Sequence, residues 1–292
     1  MTQLPLGEEI FLDHVGFFVR DVEAGKRALA RVGFAPTPIS VQTNPDPKGG
    51  EARLTGTGNV TAMLSQGYIE VLFKTADAPL ATELDAAVAR YPGIHLAAFA
   101  VADAASWHRR LAQLSFRVRP LVEMQRPVDT GGPQGVAQFT IARLEPGEMP
   151  EGRIQVLTHH SESMVWQPRW LSHRNGALAL AGVVIAVADV EEAAQRFARF
   201  TARAAQRCAS GRLITLDRGR VHLASVDGLR HMLPEIAIPC LPFMGACEIR
   251  VASLSALSEL LRNAGLKWRK REDIVIAQFP PELGQGAWVF ME

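Results

Sequence analysis

Apolar and polar positions alternate from residue 12 to residue 22. Val15, Phe17 and Val19 fall on one face of an extended segment, and His14, Gly16 and Phe18 fall on the other. Asp21 follows where a helix N-cap belongs, because its carboxylate can accept the unpaired N–H groups of a first turn. The same succession returns at 98–103, 184–189 and 248–253, where Asp103, Asp189 and Ser253 each precede an amphipathic run. Four copies of one unit are therefore predicted.

In the first copy a helix from Asp21 buries Val22, Leu29 and Val32 and stops at Gly33. A short strand is predicted over 34–39, then a long Pro- and Gly-rich loop over 40–58, then a hairpin of strands 59–64 and 68–73. The order is β-α-β-β-β. Residues 82–91 form a connecting helix carrying Leu84 and Val88, ended by Pro92 and Gly93. The second copy has a helix from Asp103, a loop around 126–135, and strands over 136–144 and 153–159. Residues 161–176, with Trp166 and Trp170, join the halves. The third copy opens its helix at Asp189 and places a hairpin at 212–216 and 220–226. A proline-punctuated link over 234–242 leads to the fourth, whose last strands are 274–279 and 287–291.

A single helix cannot cover both faces of such a curved sheet, so the units are expected to pair. The predicted fold class is α+β: four βαβββ modules forming two cup-shaped, eight-stranded mixed sheets. The expected division is residues 1–165 for the half with the site and 177–292 for a structural half.

Bulk properties narrow the function. Apolar residues make up 48% and charged residues 21% of 292, an ordinary globular composition. The net charge of +1 offers no electrostatic case for nucleic acid or an anionic membrane surface. No apolar run is long enough to span a bilayer, and residues 1–10 are polar and acidic, unlike a signal peptide. Cys208, Cys240 and Cys247 are odd in number and lack metal-ligand spacing, which fits free thiols in a cytoplasmic protein.

The Leu12-Asp13-His14-Val15 opening, the Val19-Arg20-Asp21 helix start, Gly56-Thr57-Gly58-Asn59 and the strand Gly67-Tyr68-Ile69-Glu70-Val71-Leu72 resemble the vicinal oxygen chelate superfamily. That superfamily includes glyoxalases, extradiol dioxygenases and bleomycin resistance proteins. The resemblance implies a divalent metal in the cup (Fe, Mn, Ni or Zn), held by residues of the first and last strand of each paired unit. Carried over, unit one supplies His14 and Glu70, with Glu70 also the proton-moving residue. In unit two the last strand places Gln155 at the position of Glu70. The first strand places Leu96 seven residues before Asp103, as His14 stands seven before Asp21. The adjacent His95 is the nearest candidate donor, and only a β-bulge would turn it into the cup. His159 shares the parity of Gln155 and, with Phe18 from the free face of the first strand, is expected on the substrate side. In the second half the first-strand positions carry Gly182 and Ala246. His222 stands where Glu70 would, and Glu248 with Arg250 are read as a salt bridge.

Three readings follow. One is a metal-dependent lyase, isomerase or dioxygenase acting on a small oxygenated organic molecule. The second is a sequestering protein of the resistance type with a degenerate metal site. The third is an interaction module, which leaves His14 and Glu70 unexplained. A homodimer stays open, although four units can complete two cups without a partner.

Overall fold

The computed structural model describes residues 3–46, 48 and 50–292. All four modules are present. The first contains β1 (Ile10–Phe18), α1 (Val22–Arg31), β2 (Ser40–Asn44), β3 (Arg53–Met63) and β4 (Tyr68–Lys74). After α2 (Pro79–Arg90), the second contains β5 (Gly93–Val101), α3 (Ala104–Gln113), β6 (Val122–Val128), β7 (Gly135–Arg143) and β8 (Arg153–His159). The short α4 (Glu162–Val165) lies in the connector. The third contains β9 (Ala177–Ala186), α5 (Val190–Thr201), β10 (Ala205–Cys208), β11 (Gly211–Thr215) and β12 (Arg220–Ala224). Past α6 (Val226–Met232), the fourth contains β13 (Phe243–Val251), α7 (Leu254–Asn263), β14 (Trp268–Arg271), β15 (Ile274–Gln278) and β16 (Ala287–Met291).

The caps act as their residue types require. Asp21 accepts from the Ala24 N–H, Asp103 from Ala105 and Ser106, Asp189 from Glu191 and Glu192, and Ser253 from Ala256. Gly33 closes α1 at φ +93°, with Asn175 packed so close that a Cβ would collide with it.

Pairing unites modules one and two in the strand order β1-β4-β3-β2-β6-β7-β8-β5, and β1 also pairs with β5. The first sheet is therefore closed, at one seam by β1 and β5 and at the other by Thr43 opposite Gln125. Modules three and four give β10-β11-β12-β9-β13-β16-β15-β14. Among the described residues β10 and β14 do not pair, so this second sheet stays open. Its concave face is covered by the chain itself: Leu229 and Leu233 from α6 and its end, and Ile236 and Ile238 from the link, pack on Val184, Ala246 and Val289. One apolar cluster runs through both halves, with Phe17 and Phe34 against Trp288 and Phe279. None of the described helices is long and apolar enough to cross a membrane.

Three local expectations are corrected. Residues 34–39 are not a strand. Pro36 and Pro38 remove ladder donors, and pairing begins instead at Ser40. The expected loop over 40–58 holds β2 and the start of β3. The expected loop at 126–135 begins inside β6, which carries Arg126 and Pro127. Both strands were hidden because their inward residues, Ser40, Gln42 and Arg126, are polar.

Candidate functional site

The bore of the closed sheet has apolar layers of Phe18, Met63, Leu72, Ala98, Phe139 and Leu157. A narrow chamber of about 30 Å³ interrupts them, lined by His14, Gln42, Asn59, Glu70, Arg126, Arg143, Arg153, Leu96 and Gln155 among others. A β-bulge in β1 shapes its entry. Leu12 pairs with Phe99 and His14 with Ala98, leaving Asp13 as the extra residue. Asp13 and His14 are thereby able to share one side of the strand despite being neighbours.

Asp13 is fully buried. Its Oδ2 lies 2.7 Å from His14 Nδ1 and its Oδ1 lies 3.0 Å from His159 Nε2, so it accepts from both imidazoles. Burial alone would raise its carboxyl; the two histidines outweigh that and hold it well below the usual carboxylate range. With Nδ1 taken by Asp13, the His14 ring directs Nε2 at Glu70 Oε2, 3.5 Å away. Tyr68 stacks on the same ring with centroids 4.3 Å apart. Glu70 Oε1 accepts from Asn59 Nδ2 at 2.6 Å and Gln42 Nε2 at 3.3 Å.

The structure brings together His14, Glu70 and Gln155, all lining the chamber. Gln155 Oε1 accepts from Arg143 Nε at 3.2 Å. It does not bring His95 there. A second bulge does fall at His95, since Gly16 pairs with Leu96 and Phe17 with Ile94. The bulge sends the ring to the Tyr91 carbonyl, 2.6 Å from Nε2, and against Phe18. Leu96 takes the chamber wall instead. His159 also stays out of the chamber: it is bound to Asp13 and enclosed by Phe139 and Trp166. Phe18 lines a wider neighbouring pocket beside His95. In the second half Glu248 pairs with Arg220 and not with Arg250, which is exposed, and His222 meets Ser210 and Cys208.

Sequence reading missed Asp13 and the three arginines. Burial lowers the pKa of Arg126, and none of the ion pairs among the described residues involves it. Burial, reinforced by Arg153, pushes Arg143 down to about 9. Among the described residues lining the chamber, Glu70 is the only carboxylate. The signal for the arginines was present as parity: Met124, Arg126 and Val128, and Phe139, Ile141 and Arg143, put guanidiniums on apolar faces.

A family model for the glyoxalase-like domain matches residues 12–201. The chain belongs to that family. A search of curated proteins finds no match for this glyoxalase-like chain. Solved structures share its fold across nearly its whole length. A hypothetical protein from Staphylococcus aureus aligns with TM-score 0.62 and 10% identity over 96% of this chain and 98% of its own. The Mn(II)-bound glyoxalase from Novosphingobium aromaticivorans gives 0.54 and 13% over 97% and 81%. A catechol 2,3-dioxygenase gives 0.55 and 13% over 98% and 88%. The fold is that of the vicinal oxygen chelate proteins.

His95 gives the glyoxalase-like chain an acid-sensitive point. Burial pushes its imidazole from 6.5 down to about 4. The unfolded chain therefore binds the extra proton first. The stabilising contribution is complete above pH 6.5 and is lost as pH falls through about 4, a difference of about 3 kcal/mol. His173 and His222, also lowered by burial, act in the same direction. Urea unfolding of His95→Asn at pH 7 and pH 4.5 should show a smaller acid loss than the parent chain. An equal loss would remove His95 as its source.

Proposed function

We propose that the glyoxalase-like chain admits a small oxygenated organic molecule into the cup of β1–β8 and moves a proton on it through Glu70. The observation that carries this is the convergence of His14 Nε2 and Glu70 Oε2 at 3.5 Å, both side chains buried and both lining one chamber. Glu70 Oε1 is anchored by Asn59 and Gln42, which leaves Oε2 for the substrate. Asp13 fixes the imidazole, so a proton can pass between carboxylate, substrate carbon or oxygen, and Nε2. That is the step a lyase or isomerase of this fold needs: removal and return of a proton next to a carbonyl. The catalytic reading is confined to residues 1–165, and 177–292 are assigned a structural role.

The fold neighbours favour a divalent metal, the Mn(II)-bound glyoxalase among them. Of the four positions that the resemblance assigns, His14 and Glu70 present free donors. The Gln155 amide oxygen is engaged by Arg143, and Leu96 offers none. Among the described residues no three His, Cys, Asp or Glu side chains are placed to share an ion. Three guanidiniums line the same chamber. A tight site takes at least three protein donors, and positive neighbours oppose a dication. This set does not fit a tightly held metal.

The test is hydrogen–deuterium exchange of small α-hydroxy and α-keto carbonyl compounds in D₂O, followed by NMR. Exchange by the purified chain should fall at least ~100-fold in Glu70→Gln. Retention of a compound with no exchange would mark the chain as a sequestering protein. Elemental analysis runs beside it. One equivalent of Mn, Fe, Ni or Zn, lost in both His14→Ala and Glu70→Ala, would replace this reading with metal-dependent catalysis, dioxygenase chemistry included.

A further inference from the structure

A pocket of about 530 Å³ opens into the closed sheet at the end where β5 and β8 begin. Its charge is uneven. Arg90, Arg119, Arg143 and Arg153 line it, against Glu83 and Glu145. Both carboxylates are taken by Arg119, at 2.7 Å and 3.2 Å. Arg90 donates to the Pro150 and Pro242 carbonyls, which leaves Arg143 and Arg153, and both also line the inner chamber that holds Glu70. They form the neck between pocket and chamber.

Neither neck arginine is neutralised at close range. The hydrogen bond of Arg143 goes to the uncharged Gln155. Arg153 reaches its nearest carboxylate, Glu83, only at 3.8 Å, and its buried Nη2 has no hydrogen-bond partner. The Arg153 guanidinium stands over the Phe18 ring, 5.0 Å from its centroid, which fixes its plane. Two largely buried guanidiniums, both lowered by burial and Arg143 further by Arg153, are unfavourable alone. An oxyanion between them would supply the missing acceptors. The rest of the wall is apolar, with Leu144, Met149 and Ile154 beside Phe18, and suits a carbon body.

We propose that this neck seats the anionic group of an organic acid, a carboxylate or a phosphate, on Arg143 and Arg153, with the carbon skeleton in the outer pocket. The placement names the substrate class of the proton-transfer site and rests on that reading for the direction in which the molecule points. Bound so, the anionic group itself is the part nearest Glu70, and the carbon atom that bears it comes next.

Titration calorimetry of the full chain with phenylacetate, phenyl phosphate and the uncharged phenylacetamide tests it. Either anion should bind at least ~10-fold more tightly than the amide, and Arg153→Met and Arg143→Met should each weaken the anions by a similar factor. Arg153→Lys, which keeps the charge and loses the fork, should fall between. Near-ultraviolet circular dichroism identifies variants that fail to fold. For those, displacement of phenyl phosphate by inorganic phosphate on the parent chain stands in, and no displacement counts against the seat. No binding to the parent chain, equal binding of acid and amide, or anion binding untouched in folded Arg143→Met and Arg153→Met would each overturn the inference. Anion binding without proton exchange on any compound would remove the catalytic reading and keep the seat. Exchange with no preference for acids would do the reverse.

Discussion

Replacing Asp13 with alanine is expected to cost about 3–5 kcal/mol of folding stability. The side chain is fully buried and accepts from two imidazoles that have little else. Without it, His14 Nδ1 and His159 Nε2 lose their acceptor inside an enclosed site, and a bulge evolved around a carboxylate is left with a void. The penalty is that of abandoned buried donors more than of one lost attraction. Asp13→Asn should lose less, because its amide oxygen can still accept from one ring while its NH₂ opposes the other. Urea unfolding at pH 7 reads both. A loss under ~1 kcal/mol for alanine would mean that the histidines find other partners and that Asp13 does not hold the site. The same linkage has a pH signature. The Asp13 carboxyl is depressed in the folded chain, so its contribution is present above the ordinary carboxylate pKa and disappears as pH falls below it.

Trp288→Ala should cost a comparable ~3–5 kcal/mol, for a different reason. Trp288 is fully buried in the last strand, yet its ring lies 5.2 Å from both Phe17 and Phe34 of the first module and 4.8 Å from Phe279. Removing it empties the contact where the two ends of the chain meet. Trp288→Phe keeps a ring there and should lose much less. Chemical unfolding measures both, and an alanine variant within ~1 kcal/mol of the parent would show that the surrounding rings close over the gap.

The repeated architecture was readable because each module announces itself twice, by an alternating strand and by a cap. Asp21, Asp103, Asp189 and Ser253 all cap as their positions imply. What could not be read was β2 and the start of β6, whose inward faces carry Ser40, Gln42 and Arg126. Ser40 and Gln42 break the apolar rhythm of β2 because they serve the chamber, and β10 and β14 are short edge strands with little to bury. The pairing of His14 with Glu70 came from the resemblance of their two strands to the vicinal oxygen chelate proteins. Asp13 was missed, because parity sends neighbours to opposite faces, and only the extra residue in the β1–β5 ladder brings Asp13 to the side of His14. The same device misled at His95. A bulge was the condition for its joining the cup, and a bulge is present, but the Tyr91 carbonyl captures the ring.

The second sheet, open along its edge and filled by Leu229, Leu233 and the link behind them, gives the molecule a lopsided economy. Its blueprint is copied four times; among the described residues the front pair of copies encloses the inner chamber, and the rear pair is filled by its own chain. The rear half still reaches the front barrel's outer pocket through Leu241 and Pro242, so changes on that link alter what enters as well as how firmly the barrel is braced.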